Sequence, residues 1–265
     1  MENKLKIILS DIFLANKQIN LALMLGWQDV KQRYRRSKIG PFWLTLSMGI
    51  MILALSIVFS SVTNVPSKDF IPYLAAGIIV WTFISTVLTE GCLAFINSEQ
   101  LMKQLPIPYI THIYRVIWRN LIIMAHNFII MPLLFLFFFR SLTVDVLLLI
   151  PGLFLIVINL VWITLMLAIL CTRFRDLTQI TSSLVQILFY ITPIIWIPSM
   201  LSGRKNLIFT TFNPFYHLIE VIRAPLLGVS VGYISWVYLV ILAIVGWIML
   251  IFLYGKYKNR IAYWL

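Results

Sequence analysis

Six stretches, at 42–62, 70–93, 116–139, 147–170, 178–197 and 233–254, are almost wholly apolar, and each is close to 20 residues long. This is the feature that most narrows what the chain can fold into. A helix of about 20 apolar residues crosses the hydrocarbon of a bilayer with its backbone polar groups paired internally. With 61% hydrophobic and 11% charged residues among 265, the chain has too little polar surface for a water-soluble globule of its size. The expected fold is an all-α integral membrane protein of six transmembrane helices. Several tryptophans stand near the ends of the apolar runs, where an amphipathic ring meets the headgroup layer.

The formal charge of +12 does not make the chain a nucleic-acid binder, because its Lys and Arg residues lie between apolar runs rather than along one face of a soluble fold. With both termini placed in the cytoplasm, the cytoplasmic segments carry 16 basic residues and the external ones five. That asymmetry follows the positive-inside rule. Residues 1–41 carry eight of the basic residues and no signal-peptide pattern. Within them, 19–37 places Leu21, Leu25, Val30 and Tyr34 on one side and crowds Lys31, Arg33, Arg35 and Arg36 at its end, the pattern of an amphipathic helix lying in the interface. Gly40 and Pro41 then turn the chain into the bilayer. Residues 255–265 form a cytoplasmic tail. Cys92 and Cys171 both fall toward the cytoplasmic ends of their helices, where a structural disulfide is not expected.

Residues 198–232 are apolar but interrupted by Gly203, Pro214, Pro225, Gly228 and Gly232, so neither half can cross. Two readings fit: a re-entrant stretch buried against protein or a wet cavity, or an external loop with two interfacial helices.

Polar side chains inside spans face other helices or a cavity. In the fifth span Gln179, Ser182, Ser183, Gln186 and Tyr190 recur at three- and four-residue spacing, one helical face. Thr45, Gly49, Ser56, Ser60 and Thr63 form a line in the first span, and Thr82, Ser85, Thr86 and Thr89 in the second. Asn120, His126, Asn127, Asn159 and Thr164 are isolated and read as helix–helix hydrogen-bonding groups. Spans one, two and five are therefore expected to line a route. Trp81, Phe83, Phe189, Tyr190 and Trp196 lie among or beside these residues. An uncharged lining suits a sugar polymer, whose hydroxyls exchange hydrogen bonds and whose C–H faces pack on rings, better than an ion. Glu90 is the only acid within a span and reads as a helix-end group near cytoplasmic water.

No phosphate-binding loop, H-E-x-x-H or Gly-x-Ser-x-Gly motif occurs, and His112, His126 and His217 are scattered. The chain carries no catalytic, metal or cofactor residues of its own on this reading, so energy for transport would come from a partner or an ion gradient, and the lack of buried acids disfavours the gradient. The segment 97–108, NSEQLMKQLPIP, suits a short helix with Ser98 as cap, Glu99 and Gln100 in its first turn and Lys103 following, ended near two prolines. It is either a helix that rests in a groove of an ATPase or a plain connection.

WQDVKQRYRRSKIGPFWLTLSMGI at 27–50 resembles the opening of the ABC-2 type permeases that export O-antigen and related polysaccharides. EQLMKQLPIP at 99–108, RFRDL at 173–177, TPIIWIP at 192–198 and NPFYHLIEVIRAPLLG at 213–228 extend the resemblance over nearly the whole chain. The resemblance implies a single ABC-2 type membrane domain over 1–265, with an interfacial segment at 1–41, a six-helix membrane region at 42–254 and re-entrant periplasmic gate helices within 198–232. It implies a homodimer bound to two copies of an ABC nucleotide-binding subunit, which would hold the ATP and Mg, in the bacterial inner membrane.

The implied activity is export of undecaprenyl-diphosphate-linked O-antigen polysaccharide from cytoplasm to periplasm. Thr45, Ser56, Ser60, Trp81, Ser85, Thr89, Gln179, Ser183, Gln186, Tyr190 and Trp196 would line the channel, and Pro214, Phe215 and Tyr216 would belong to the periplasmic gate. Arg33, Arg35, Arg36 and Lys38 would meet the diphosphate at the entrance, or serve only topology and attraction to anionic lipid. Ser98, Glu99, Gln100 and Lys103 would couple to the ATPase. An exporter of capsule or teichoic acid, a membrane glycosyltransferase or polymerase acting on lipid-linked sugar, and an ion-coupled flippase are the alternatives.

Overall fold

A computed structural model of the chain describes residues 2–35, 40, 42–63, 65–139, 143–200 and 208–265, with side chains placed at all of these except 2–3, 34 and 60–63. Among them there is no strand. The chain begins with α1 (Glu2–Lys17) and α2 (Ile19–Tyr34), bent by 65° where they meet. Sequence reasoning finds α2 but not α1 as a separate helix. Then come α3 (Phe42–Thr63), α4 (Ser67–Cys92), the short α5 (Glu99–Gln104), α6 (Tyr109–Asn127), α7 (Ile130–Phe137), α8 (Leu149–Arg173), α9 (Leu177–Ile191), α10 (Pro214–Leu226) and α11 (Tyr233–Trp264).

Five of the six expected spans are helices long and apolar enough to cross a bilayer: α3, α4, α6 with α7, α8 and α11. The fifth in chain order is shorter than expected. Its helix, α9, stops at Ile191 after 15 residues because Pro193 follows Thr192, and a residue before proline is pushed out of the helical region. Thr192 is accordingly extended, at φ −80° and ψ 138°. At 1.5 Å per residue α9 alone covers about 22 Å, and a non-helical stretch continues it to Pro198.

Proline also sets the break between α6 and α7. Pro132 has no N–H for the Phe128 carbonyl, which is taken instead by the Met131 amide at 3.0 Å. The third expected span starts two turns early, at Tyr109 rather than 116. Arg115, which falls before the expected span, and Arg119, at its start, therefore both stand on a helix and need partners there.

α4 is the central helix, with 72% of its apolar window buried against 17% for α3 and 22% for α11. It packs on α3, α6, α8, α9 and α10. Gly91 lets α4 approach α8, since a Cβ there would run into Thr164; Gly246 does the same for α11 and Trp162 of α8. Asn120 and Asn159 bridge helices as expected: Asn120 Nδ2 donates to Glu90 at 2.7 Å and Asn159 Nδ2 to the Leu239 carbonyl at 3.2 Å.

The end of the bundle that carries α1, α2 and α5 is basic. α11 is 32 residues long, about 48 Å at helical rise, so its last ten residues extend past a hydrocarbon layer of about 30 Å. α1 lies along this extension. Its Asp11, 5% exposed, accepts from Lys258 Nζ at 2.6 Å and from the Tyr254 hydroxyl, while Ile8 and Ala15 are buried beside it. Leu5, Leu9 and Phe13 stay exposed on its other side.

At the opposite end, α10 is enclosed by α4, α8 and α11 rather than lying free as a loop. Asn213 caps it, its Oδ1 accepting from the Phe215 and Tyr216 amides at 3.0 and 3.4 Å, and Pro214 fills its first position. Gly228, at φ 71°, turns the chain away after it.

Candidate functional site

The polar faces of the second and fifth expected spans meet. Between α4 and α9 runs an open groove of about 390 Å³ lined by Trp81, Ser85, Thr86 and Thr89 on α4 and by Ser182, Val185, Gln186, Phe189 and Tyr190 on α9. No charged group lines it among the described residues. The α4 hydroxyls each donate back to the helix: Ser85 to the Thr82 carbonyl at 3.2 Å, Thr86 to the same carbonyl, and Thr89 to the Ser85 carbonyl at 2.9 Å. Their oxygen lone pairs remain free to accept from a ligand's hydroxyls.

One end of the groove is aromatic. Phe215, Trp81, Phe189 and Tyr190 form a chain of rings with centroids 5.7, 5.9 and 5.4 Å apart, within the range of favourable edge and tilted pairs. The Trp196 indole donates to the Tyr190 carbonyl at 3.1 Å and stands 6.1 Å from Phe209. Phe215 begins α10 with Pro214 and Tyr216, all three half-buried. Phe83, by contrast, is 2% exposed and faces the core.

Gln179 and Ser183 lie on the same exposed face of α9 as Gln186 and Tyr190 but outside the groove of a single chain. Among the described residues this face is left exposed.

Among the described residues, none of the first expected span lines this groove. Thr45 donates to the His126 carbonyl at 3.1 Å, which ties α3 to α6, and buried Ser56 donates to the Ile52 carbonyl at 2.6 Å. α3 packs on α4 and α6 and borders instead an apolar groove against α7. The side chain of Ser60 lies outside the described residues.

At the basic end, α2, α4 and α6 are tied by one charge network. Arg115 grips Asp29 through two bonds of 2.8 and 2.6 Å, and Arg119 donates to Asp29 at 3.0 Å and to Glu90 at 2.7 Å. Arg33 donates to Glu90 at 3.0 Å. Glu90 is thus a junction of the network and not simply a solvated helix end. Arg33 is 46% exposed and Arg35 exposed, while Arg36 and Lys38 lie outside the described residues.

α5 follows its expected place. Ser98 holds the N-cap position, but its hydroxyl makes no capping bond and its side chain is 6% exposed, so it is not part of the helix's outer surface. Lys103 donates to Glu99 at 2.6 Å, one turn apart. This bond holds the Glu99 carboxyl below its usual range. Gln100, Lys103 and Leu105 are exposed.

Sequence reasoning counted Arg223 as an external charge. The structure buries it on α10 among Glu220, Tyr73 and the Pro193 carbonyl. Glu220 three residues earlier was the only local signal, because Tyr73 lies on another helix. Cys92 and Cys171, both free and buried, face each other across α4 and α8. Among the described residues no group of His, Cys, Asp and Glu could hold a metal ion.

A sequence model of the family described as ABC-2 type transporter matches residues 20–227. Two Klebsiella pneumoniae proteins named O-antigen export system permease protein RfbA are each 25% identical to the chain over 252 residues, covering 92% of it and 94% of their own length. A Myxococcus xanthus protein of the same name is 26% identical over 208 residues, 77% of this chain and 79% of its own.

Proposed function

Because the chain belongs to the ABC-2 type transporter family, we propose that it is the transmembrane permease subunit of an ATP-driven exporter that moves lipid-linked O-antigen polysaccharide from the cytoplasm to the periplasm. The observation that carries this reading is the α4/α9 groove: hydroxyls, an amide and a row of edge-on and tilted rings, with no charged group among the described lining residues. A sugar chain can exchange hydrogen bonds with Ser85, Thr89, Ser182 and Gln186 while its C–H faces slide over Trp81, Phe189 and Tyr190. Such a lining holds a polymer weakly at many places, which lets it move. It also favours a neutral polysaccharide over anionic capsule or teichoic acid.

The groove is open on one side. A second copy of the chain facing it would close a channel and bring Gln179 and Ser183 of both copies to its wall. This agrees with a homodimer. Pro214, Phe215 and Tyr216, at the aromatic end, would form the periplasmic gate. Arg33 and Arg35 stand at the basic end, where a diphosphate headgroup would enter, and Arg33 would have to share its guanidinium between Glu90 and phosphate. α5, with Glu99, Gln100 and Lys103, would rest on a separate nucleotide-binding subunit, which holds ATP and Mg and hydrolyses the nucleotide. The basic end, which carries α1, α2 and α5, supports an orientation with both termini in the cytoplasm of a protein in the bacterial inner membrane.

Co-purification with the product of a neighbouring ATPase gene, followed by hydrolysis assays with and without lipid-linked polysaccharide, tests the reading. A two-plus-two complex whose hydrolysis responds to the polymer supports it. Polymerisation or transport of lipid-linked sugar with no ATPase bound would overturn it in favour of an enzyme or an ion-coupled flippase.

A further inference from the structure

Arg223 is 1% exposed, and a guanidinium so enclosed persists only where its donors are met. Its Nε and one terminal nitrogen donate to Glu220 Oε2 at 3.0 and 2.6 Å, and the other terminal nitrogen donates to the Pro193 carbonyl at 2.6 Å. Its plane lies 4.1 Å from the ring centre of Tyr73, a helix away on α4, as a cation over an aromatic face. The Tyr73 hydroxyl in turn lies within bonding distance of the Pro193 and Trp196 carbonyls, at 3.1 and 3.2 Å. Gly77 of α4 borders the same cluster: a Cβ there would meet Ile194 at 3.4 Å and the guanidinium at 3.7 Å, ordinary contact distances.

These contacts answer a need created by the sequence. Where Pro193 ends α9, the following carbonyls lose helical partners in apolar surroundings, and each must find a donor elsewhere. Arg223 and Tyr73 supply them. A further bond joins the same two elements: Asn213, the cap of α10, donates through Nδ2 to Thr192 Oγ1 at 3.0 Å. The other side of α10 is held to α11 by neutral groups, His217 Nδ1 with Ser235 Oγ at 2.9 Å and the His217 ring stacked on Tyr238 at 4.3 Å. Charge-assisted bonds are roughly twice as strong as neutral ones. Parting α9 from α10 would also leave a buried charge without its carbonyl partner.

We propose that Arg223 is a positioning residue for the groove, clasping the outer end of α9 to α10 so that the two move as one body, and that the outer end opens by parting α10 from α11. The second half rests on the reading of the groove as the transport route.

The test uses the chain with Cys92→Ser and Cys171→Ser, in complex with its ATPase, after showing that this background matches the unmodified chain in assembly. Thr192→Cys with Asn213→Cys bridges α9 to α10; His217→Cys with Ser235→Cys bridges α10 to α11. In purified protein the α9–α10 bridge should form about tenfold or more slowly when Arg223→Gln is added, as loss of hydrogen bonds to a charged group implies, with Arg223→Lys between. Equal rates would overturn the clasp, and this readout needs no transport. Once oxidised, the α9–α10 bridge should leave export within about twofold and the α10–α11 bridge should lower it about tenfold or more, reversibly with reductant. The opposite pattern would overturn the proposed opening. If the unbridged complex exports no lipid-linked polysaccharide, the functional reading fails, while the bridging rates still decide the clasp.

Discussion

Arg119 of α6 reaches Glu90 of α4 across 2.7 Å while its other terminal nitrogen holds Asp29 of α2 at 3.0 Å. One side chain thereby joins an interfacial helix to two spans. Side-chain exposures of 18% for Arg119, 22% for Glu90 and 14% for Asp29 keep solvent from replacing these bonds freely.

Removing the junction should loosen the basic end. Glu90→Ala leaves Arg119 and Arg33 facing each other without their shared carboxylate, and we expect a loss of about 2 kcal/mol, below the range for a fully buried pair. A lower thermal midpoint in detergent, together with faster proteolysis of α2, checks it; an unchanged midpoint would show that the network carries no stability.

Close helix approach gives a sharper contrast. Gly246→Ala puts a methyl group into the Trp162 ring, and Gly91→Ala puts one into Thr164. Each should cost about 1–3 kcal/mol through overpacking. Gly49→Ala, with nothing within 4 Å of the new carbon, should be neutral in the same thermal assay.

Filling the groove should stop movement through it without disturbing assembly. Ser182→Trp places a bulky ring beside Ser85 and Gln186, and export should fall about tenfold or more, a barrier increase of about 1.4 kcal/mol. The complex with the ATPase should still purify. Tyr190→Ala and Trp196→Ala test the aromatic end in the same way, and unaltered export would remove the residue from the lining.

The contact that α5 makes with the ATPase should draw most of its strength from the apolar residue that follows the helix. Leu105 is 49% exposed at the turn after that helix, and Leu105→Asp should abolish co-purification of the nucleotide-binding subunit. Lys103→Ala removes only an exposed pair one turn apart and should leave assembly intact. The reverse result would make the charged face of α5, rather than Leu105, the main anchor of that contact.

α1 should depend on its buried Asp11. Asp11→Ala removes the acceptor of both Tyr254 and Lys258, and about 2 kcal/mol of local stability should go with it. Limited proteolysis that cuts within residues 1–17 of the variant and spares the unmodified chain is the expected outcome.

Much of the membrane fold was legible because its signals are local. A run of apolar residues declares a span, and the three- and four-residue spacing of Ser85 and Thr89 or of Gln186 and Tyr190 declares a face, without reference to the rest of the chain. The same reasoning could not see which partners such hydroxyls take. Thr45 and Ser56 look like lining residues by spacing, yet one hydroxyl ties α3 to α6 and the other returns to its own backbone. α1 escaped notice because its buried side is narrow, consisting of Ile8, Asp11 and Ala15, and is defined only by the α11 extension that covers it.

By itself the sequence determined how many apolar segments there are, which end of the bundle is basic, where proline stops α9 and which helix faces are polar. These follow from chain length, charge and backbone sterics within a few residues. Only the tertiary structure decided that the faces of α4 and α9 meet, that Arg115 and Arg119 are neutralised by Asp29 and Glu90, and that Arg223 is buried against Pro193, 30 residues earlier. The physical reason is that each depends on the angle and depth at which two helices pack. A charge in the chain is an exposed anchor or a buried clasp according to what that packing brings within 3 Å of it.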